Sequence, residues 1–388
     1  MYFKKTINYG IHHIDNSDVE NLNKVLKSDF LTQGPYVEKF ENDLKNYFKS
    51  KYAVALSNGT AALHLAVKAL QLRSQSTILT TPLTFISTAS SILMNNHKPL
   101  FVDIDKDSLT LDLNKVEYEL KKNPKIKAII GVDFAGHPCD WKGLYFLKKK
   151  YDLKLINDNC HALGSKLSGN IGYAVKYADL VTHSYHPVKN FTTGEGGAIL
   201  TNNKKYKDYI FLQRSHGIKK ETKSKNIGLW HYEVNEYGYN YRITDIQCSL
   251  GITQLKKLKK FVIERRKIAS FYNSIFKNNL EYFNLPSIKN NNIFHSYHLY
   301  PLQINFKKLK VDKKNFFTNL LKKKIRLQVH YVPLYKQPFL KKFINSNKFP
   351  ATERYYERAV SLPIFYQLNA KTQKRITNII LDELNLNY

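Results

Sequence analysis

The sequence predicts an α/β fold. A large lobe carries a mostly parallel mixed sheet covered by helices, and a smaller α+β lobe follows. Three observations lead there. Between about residues 50 and 250, short apolar strand patterns alternate with helical ones, as parallel crossover units do. Loop signals punctuate that alternation at Ala135-Gly-His-Pro138 and Gly169-Asn-Ile-Gly172. From Leu255 the pattern changes to a long amphipathic helix, Leu258 to Phe276, and then to mixed elements. The lobes are therefore placed at residues 1–254, which include an N-terminal segment, and 255–388. A chain of 388 residues is long enough to bury a large core.

The elements follow in order. Asp15-Asn-Ser-Asp18 precedes a helical pattern from Val19 to Lys27, with acids near its start as a cap prefers. Tyr52 to Leu56 reads as a strand, Ser57-Asn-Gly-Thr60 as a tight turn, and the Ala- and Leu-rich run to Leu70 as a helix. Ala128 to Asp133, Lys154 to Asn157, Asp179 to His183 and Ala198 to Thr201 read as strands. Tyr297-His-Leu-Tyr-Pro-Leu-Gln-Ile reads as a strand of the smaller lobe.

Three of these junctions carry chemistry. Lys189 lies between an apolar strand and the cluster Gly194-Glu-Gly-Gly197. Burial there would lower its pKa and free its lone pair to attack a carbonyl; a solvated loop lysine is the plainer alternative. Asp158 ends a strand, where ligands of open α/β sheets bind. Taken alone it also suits a helix cap or an ion pair. Ser57-Asn-Gly-Thr60 offers backbone N–H groups, hydroxyls and the positive end of a helix, which suits a phosphate. By itself it is also an ordinary capped helix. Together the three match pyridoxal 5'-phosphate (PLP): a phosphate cradle, a carboxylate for the ring nitrogen and an amine for the aldehyde.

At this point the chain resembles the DegT/DnrJ/StrS sugar aminotransferases, of the type I aspartate-aminotransferase fold. The motifs that carry the resemblance run from end to end. They are Leu31-Thr-Gln-Gly34-Pro35, Ser57-Asn-Gly-Thr60-Ala-Ala-Leu-His, Thr81-Pro-Leu-Thr84-Phe85, Asp158-Asn-Cys-His161, Ser184-Tyr-His-Pro-Val-Lys189, Gly238-Tyr-Asn240-Tyr-Arg242 and Ser361-Leu-Pro363. The resemblance implies that Lys189 binds PLP covalently and then moves a proton, while Asp158 pairs with the ring nitrogen. It implies that Phe85 stacks on the ring, that Gly59, Thr60 and Ser184 hold the phosphate, and that His161 meets the ring hydroxyl. Asn240 is implied to reach the cofactor of a neighbouring subunit in a homodimer with shared active sites. Asn190-Phe191 departs from the proline and aliphatic residue expected there; these positions adjoin the lysine but remove no essential chemistry.

Within that family, three features resemble the branch that aminates C4 of a UDP-linked 4-keto sugar in pseudaminic acid biosynthesis. They are the Thr192-Thr-Gly-Glu-Gly-Gly continuation, His161, and the late loop Leu327-Gln-Val-His330-Tyr331-Val-Pro-Leu-Tyr-Lys-Gln-Pro338. L-glutamate is the donor this implies. Tyr9, Leu31, Thr32, Gln33, Gly34, Val329, His330, Tyr331 and Val332 are the implied sugar-nucleotide contacts. A different sugar-nucleotide aminotransferase, such as a GDP-perosamine synthase, stays open. So does a non-catalytic or nucleic-acid-binding relative, which the presence of both Lys189 and Asp158 opposes.

Composition bounds the rest. The formal net charge is +30, from 61 basic and 31 acidic residues. Such an excess invites a nucleic-acid reading. The basic runs Lys256-Lys-Leu-Lys-Lys260 and Lys322-Lys-Lys324 nevertheless lie on amphipathic helical patterns and read as solvated faces. No nucleic-acid motif accompanies them, so the expectation is no nucleic acid. A positive field still attracts anionic substrates. Cys139, Cys160 and Cys248 show neither metal nor disulfide spacing, and no metal is expected. The first residues lack an apolar core and no run is long enough to span a bilayer. The expected setting is the cytoplasm, away from membranes.

Overall fold

A computed structural model describes residues 6–219, 228, 230–288, 291–343 and 348–386. The large lobe is built on a seven-stranded sheet. Its strands are β1 (Tyr52–Leu56), β2 (Thr77–Thr80), β3 (Lys98–Phe101), β4 (Ile126–Val132), β5 (Lys154–Asp158), β6 (Leu180–Ser184) and β7 (Gly197–Thr201). Their order across the sheet is β1-β7-β6-β5-β4-β2-β3. Pairings from β6 to β3 are parallel, and β7 pairs antiparallel with both of its neighbours. The mixed, mostly parallel sheet expected from the strand–helix alternation is the one observed.

Helices cover both faces, which is why the central strands read as continuous apolar runs. On one face lie α2 (Pro35–Tyr47), α5 (Leu113–Lys122) and α6 (Trp141–Lys150), whose Leu44, Val116 and Trp141 join the larger core, while α1 (Asn16–Leu26) packs on the long helix Asp245–Phe276. On the other lie α3 (Gly59–Ala69), α4 (Ile86–Met94) and α7 (Lys204–Arg214), packing Leu65, Ile92 and Ile210 against Ile130 and Ile156. Each such fully buried aliphatic side chain contributes about 1.5–3 kcal/mol relative to exposure.

A single helix, α8 (Asp245–Phe276), joins the lobes. Thr244 and Gln247 form its capping box. Ile252, Leu255, Leu258, Phe261 and Val262 belong to the large-lobe core, whereas Ile268, Ala269, Tyr272 and Phe276 belong to that of the small lobe. The expected division at 254/255 thus falls inside a continuous helix. The helix also starts well before Leu258. Its early buried positions mix Cys248, Ile252 and Leu255 with Asp245, Ser249, Gly251 and Gln254, and the small or polar members mask the apolar period.

In the small lobe, β8 (Phe283–Asn284), β9 (Tyr300–Ile304) and β10 (Ala359–Leu362) form an antiparallel sheet in the order β8-β9-β10. Helices α9 (Lys313–Lys322), α10 (Pro350–Arg358) and α11 (Ala370–Glu383) complete it. The strand expected from Tyr297 begins only at Tyr300. Tyr297 takes a positive φ of 47°, which no strand tolerates. Its neighbours dock on the large lobe instead, through Ser296 N–H to Gly136 O and Leu299 N–H to Ala135 O.

Two further ties fix the lobes together. Asp103, just past β3, accepts from the N–H groups of Ala351 and Thr352 at 3.0 Å, from Thr352 Oγ1 at 2.7 Å and from Lys115 Nζ at 2.8 Å. It caps α10, whose own N-cap residue Phe349 supplies no side-chain bond. Residues near the N-terminus cross over as well: Ile364 N–H donates to Tyr9 O at 3.0 Å.

Candidate active site

Register brings the site together. Val132 pairs with Asp158 and Asp158 with Thr182, so the C-terminal ends of β4, β5 and β6 share one edge. Gly197, opening β7, pairs with both Leu56 and Ser184. The turn after β1, the acid of β5 and the loop after β6 therefore face one another. A side chain at Gly197 would meet Asn58 O at 2.5 Å, so only glycine lets the turn pass so closely. A cavity of about 920 Å³ opens at this edge, large enough for a cofactor and a substrate.

Lys189 lines that cavity. Burial pushes its amine below the usual lysine range, against the opposing pull of the Asp158 carboxylate. Among the described residues the amine has no hydrogen-bond or ion-pair partner. Asp158 is buried beside it. Thr88 Oγ1 donates to Asp158 Oδ2 at 2.8 Å, and Cys160 N–H donates to Oδ1 at 3.3 Å. Because the Thr88 proton is committed to Asp158, the 2.8 Å contact between the Thr84 and Thr88 hydroxyls has Thr84 as donor.

The cradle is open. Asn58 caps α3 through its side chain to Ala61 N–H at 2.8 Å. The Gly59 and Thr60 N–H groups have no protein acceptor among the described residues. A Cβ on Gly59 would lie 2.7 Å from Ser184 Cβ, so the glycine lets Ser184 approach the helix end closely. Thr60 Oγ1 and Ser87 Oγ are 2.7 Å apart on the rim. Free N–H groups, hydroxyls and a helix N-terminus suit a phosphate. With Asp158 and the Lys189 amine in the same cavity, the residues fit PLP.

His161 also lines the cavity. Ala135 N–H donates to its Nδ1 at 3.4 Å, which leaves the proton on Nε2, and Nε2 lies 3.0 Å from Tyr331 Oη. Burial, with Lys189 and His330 nearby, holds the ring neutral. Its N–H is thus engaged by Tyr331, a contact the linear sequence did not suggest. His330 Nδ1 contacts Ser361 Oγ at 2.8 Å, and Tyr355 donates to His330 O at 2.7 Å. Phe85, 55% exposed, lines the cavity with its ring 5.9 Å from that of Tyr331.

Tyr9, Gly59, Thr60, Phe85, Asp158, His161, Ser184, Lys189 and Val329 to Val332 are therefore gathered in one place. Leu31 to Gly34 and Asn240 are not among the residues lining it. Leu31 O accepts from Asp245 N–H, Thr32 bridges to Thr244, and Gly34 N–H donates to Asp245 Oδ2 at 2.8 Å. Leu31 to Gln33 and Asn240 face solvent. The sequence reading missed Thr84 and Thr88, whose i, i+4 spacing across the start of α4 was the available signal. It gave no role to Glu195, and the late loop it named stops at Pro338, short of Phe339 and Leu340, which also line the cavity. Among the described residues there is no cluster of ligands for a metal ion, and no helix is long and apolar enough to cross a membrane.

Comparison with known proteins agrees with this geometry. The profile of the DegT/DnrJ/EryC1/StrS aminotransferase family matches residues 12–381. The chain is 40% identical over 380 residues to the UDP-4-amino-4,6-dideoxy-N-acetyl-beta-L-altrosamine transaminase of Campylobacter jejuni, covering 97% of each chain. It is also 40% identical over 357 residues to an uncharacterised protein of Methanocaldococcus jannaschii, covering 91% of each. Helicobacter pylori PseC, an aminotransferase involved in the biosynthesis of pseudoaminic acid, superposes with a TM-score of 0.91 at 31% identity, over 98% of this chain and 100% of that one. The fold is that of the type I PLP-dependent aminotransferases, as expected. With a match over nearly its whole length, the chain belongs to the DegT/DnrJ/EryC1/StrS aminotransferase family.

Proposed function

We propose that this protein uses PLP to transfer the amino group of L-glutamate to C4 of a UDP-linked 4-keto-6-deoxy-N-acetylhexosamine, a step toward pseudaminic acid. One observation carries the reading: Lys189, Asp158 and the open end of α3 converge on a single cavity. Its support from relatives is the 40% identity to a transaminase of that class.

PLP, when bound, supplies an electron sink for the carbanion left when a donor carbon loses its proton. The other tasks fall to side chains. Lys189, its amine pushed down by burial, takes a proton from the donor carbon and returns one to the sugar carbon. Asp158, held by Thr88 and Cys160 N–H, presents a fixed negative charge to the ring nitrogen. Gly59, Thr60 and Ser184 bind the phosphate, and Phe85 covers one ring face. His161 and Tyr331 form a neutral polar pair at the ring hydroxyl. Tyr9 and Val329 to Val332 contact the sugar. Leu31 to Gly34 and Asn240, outside the cavity of their own chain, serve that of a second copy in a homodimer. The proposed setting is the cytoplasm, where UDP-sugars and glutamate are available.

An absorbance titration tests this. Purified protein loaded with PLP is expected to lose its visible band on addition of L-glutamate and regain it with the UDP-4-keto sugar. A GDP-4-keto-6-deoxy sugar is the comparator. Recovery with the GDP sugar alone would replace the proposed substrate; no response to L-glutamate or any other amino donor would remove the reaction.

A further inference from the structure

The cavity is short of cations. Among the described residues lining it, Lys189 is the sole lysine or arginine, although the chain carries 61 of them. A diphosphate entering here finds no positive charge on the walls that this chain supplies, except the amine needed for chemistry.

A cation stands at the mouth, on the turn Pro338–Phe343. Phe339 lines the cavity yet is 62% exposed. Lys342 Nζ lies over its ring, 4.7 Å from the centroid, and 5.2 Å from that of Phe343. No carboxylate pairs with that ammonium among the described residues. The turn is held in place. Leu340 is fully buried with Leu334 and Phe349, its N–H donates to Gln337 O at 3.0 Å, and Leu334 N–H donates to Pro82 O at 3.0 Å. Phe339 is thus an aromatic ring kept outward by its pinned neighbour, with an unpaired ammonium beside it. An exposed aromatic ring on a fixed backbone gains free energy when an apolar surface covers it, and a second ring adds a stacking contribution.

We propose that Phe339 and Lys342 form the nucleotide subsite. The pyrimidine of a nucleoside diphosphate lies against the Phe339 ring, and the diphosphate meets the Lys342 ammonium. The inference rests on the sugar-nucleotide reading above and adds to it the residues that grip the nucleotide half. Base–aromatic stacking supplies affinity for any flat base, and the lone ammonium adds a salt-sensitive contact to phosphate.

Calorimetric titration of the full-length, PLP-loaded protein with UDP and with uridine tests it. Phe339→Ala is expected to weaken both ligands by roughly ten-fold, and Phe339→Tyr to restore both. Lys342→Gln is expected to weaken UDP alone and to flatten its dependence on salt. Circular dichroism confirms that each variant is folded. Unchanged UDP affinity in Phe339→Ala and Lys342→Gln overturns the subsite, as does a wild-type protein that does not bind UDP. A Phe339→Ala variant that changes its sedimentation coefficient while keeping wild-type UDP affinity also overturns it, because the ring then belongs to a contact between copies. The response of the wild-type band to L-glutamate reports separately on the proposed reaction. UDP binding that depends on Phe339 without that response keeps the subsite and removes the reaction.

Discussion

Thr88 donates its hydroxyl proton to Asp158 Oδ2 across 2.8 Å, from the first turn of a helix to the end of a strand. The bond holds one carboxylate oxygen while the Cys160 N–H holds the other. Thr88→Val keeps the shape of the side chain and removes the donor. The expected result is a folded protein that binds PLP about ten-fold more weakly, which corresponds to one lost bond to a charged group. Fluorescence titration of the apoprotein with PLP measures it. Unaltered affinity would show that Asp158 does not need this anchor.

Lys189 has opposite effects on activity and stability. Lys189→Met is expected to abolish turnover and the visible band of the lysine-bound cofactor together. The apoprotein, however, should become more stable at neutral pH. The folded-state pKa of Lys189 is lowered, so the protonated amine opposes folding below that value. The cost fades as pH rises toward about 10.4, the unfolded value. The gain from Lys189→Met should therefore be largest near neutrality and vanish above about pH 10. Urea melts of both apoproteins across that range check the sign.

Asp103 links stability to pH in the other direction. Burial disfavours its charge, but Lys115, Thr352 and the N–H groups of Ala351 and Thr352 outweigh that and lower its pKa. A lowered carboxyl pKa contributes stability that is present above the unfolded value and lost as pH falls through the folded one. Asp103→Asn should cost about 2–3 kcal/mol at pH 7, and the difference from wild type should shrink below about pH 4. Denaturant melts at pH 7, 5 and 3.5 follow it.

Gly59→Ala places a methyl group 2.7 Å from Ser184 Cβ. Either α3 or the end of β6 has to shift. The expected outcome is a loss of phosphate binding, read as a tighter wild-type than variant complex with PLP and with inorganic phosphate. Pyridoxal, which lacks the phosphate, should bind both proteins alike.

The legible parts of this site are those the backbone imposes. Asp158 and Ser184 close strands, and Gly59 opens a helix, so strand and turn patterns alone bring them to one edge. Lys189 was legible only together with Asp158 and Ser57 to Thr60, since a lysine that follows an apolar strand is by itself an ordinary loop residue. Thr88 was not, since a threonine inside an apolar helix reads as a weak helix former until its partner is known. The Tyr331 contact with His161 joins residues 170 positions apart, and only the docking of the small lobe creates it. Leu31 to Gly34 resemble a binding motif in sequence, yet within one chain their polar groups bind the start of α8.

One rod, α8, forms part of two hydrophobic interiors. Cutting the gene at its middle would not yield two smaller proteins. A piece ending at residue 254 would leave Leu258, Phe261 and Val262 behind, and the remainder would carry those three apolar side chains into water. Neither half is expected to express as a soluble unit, and the intact chain should melt in one step, because the lobes share a structural member that neither can give up alone.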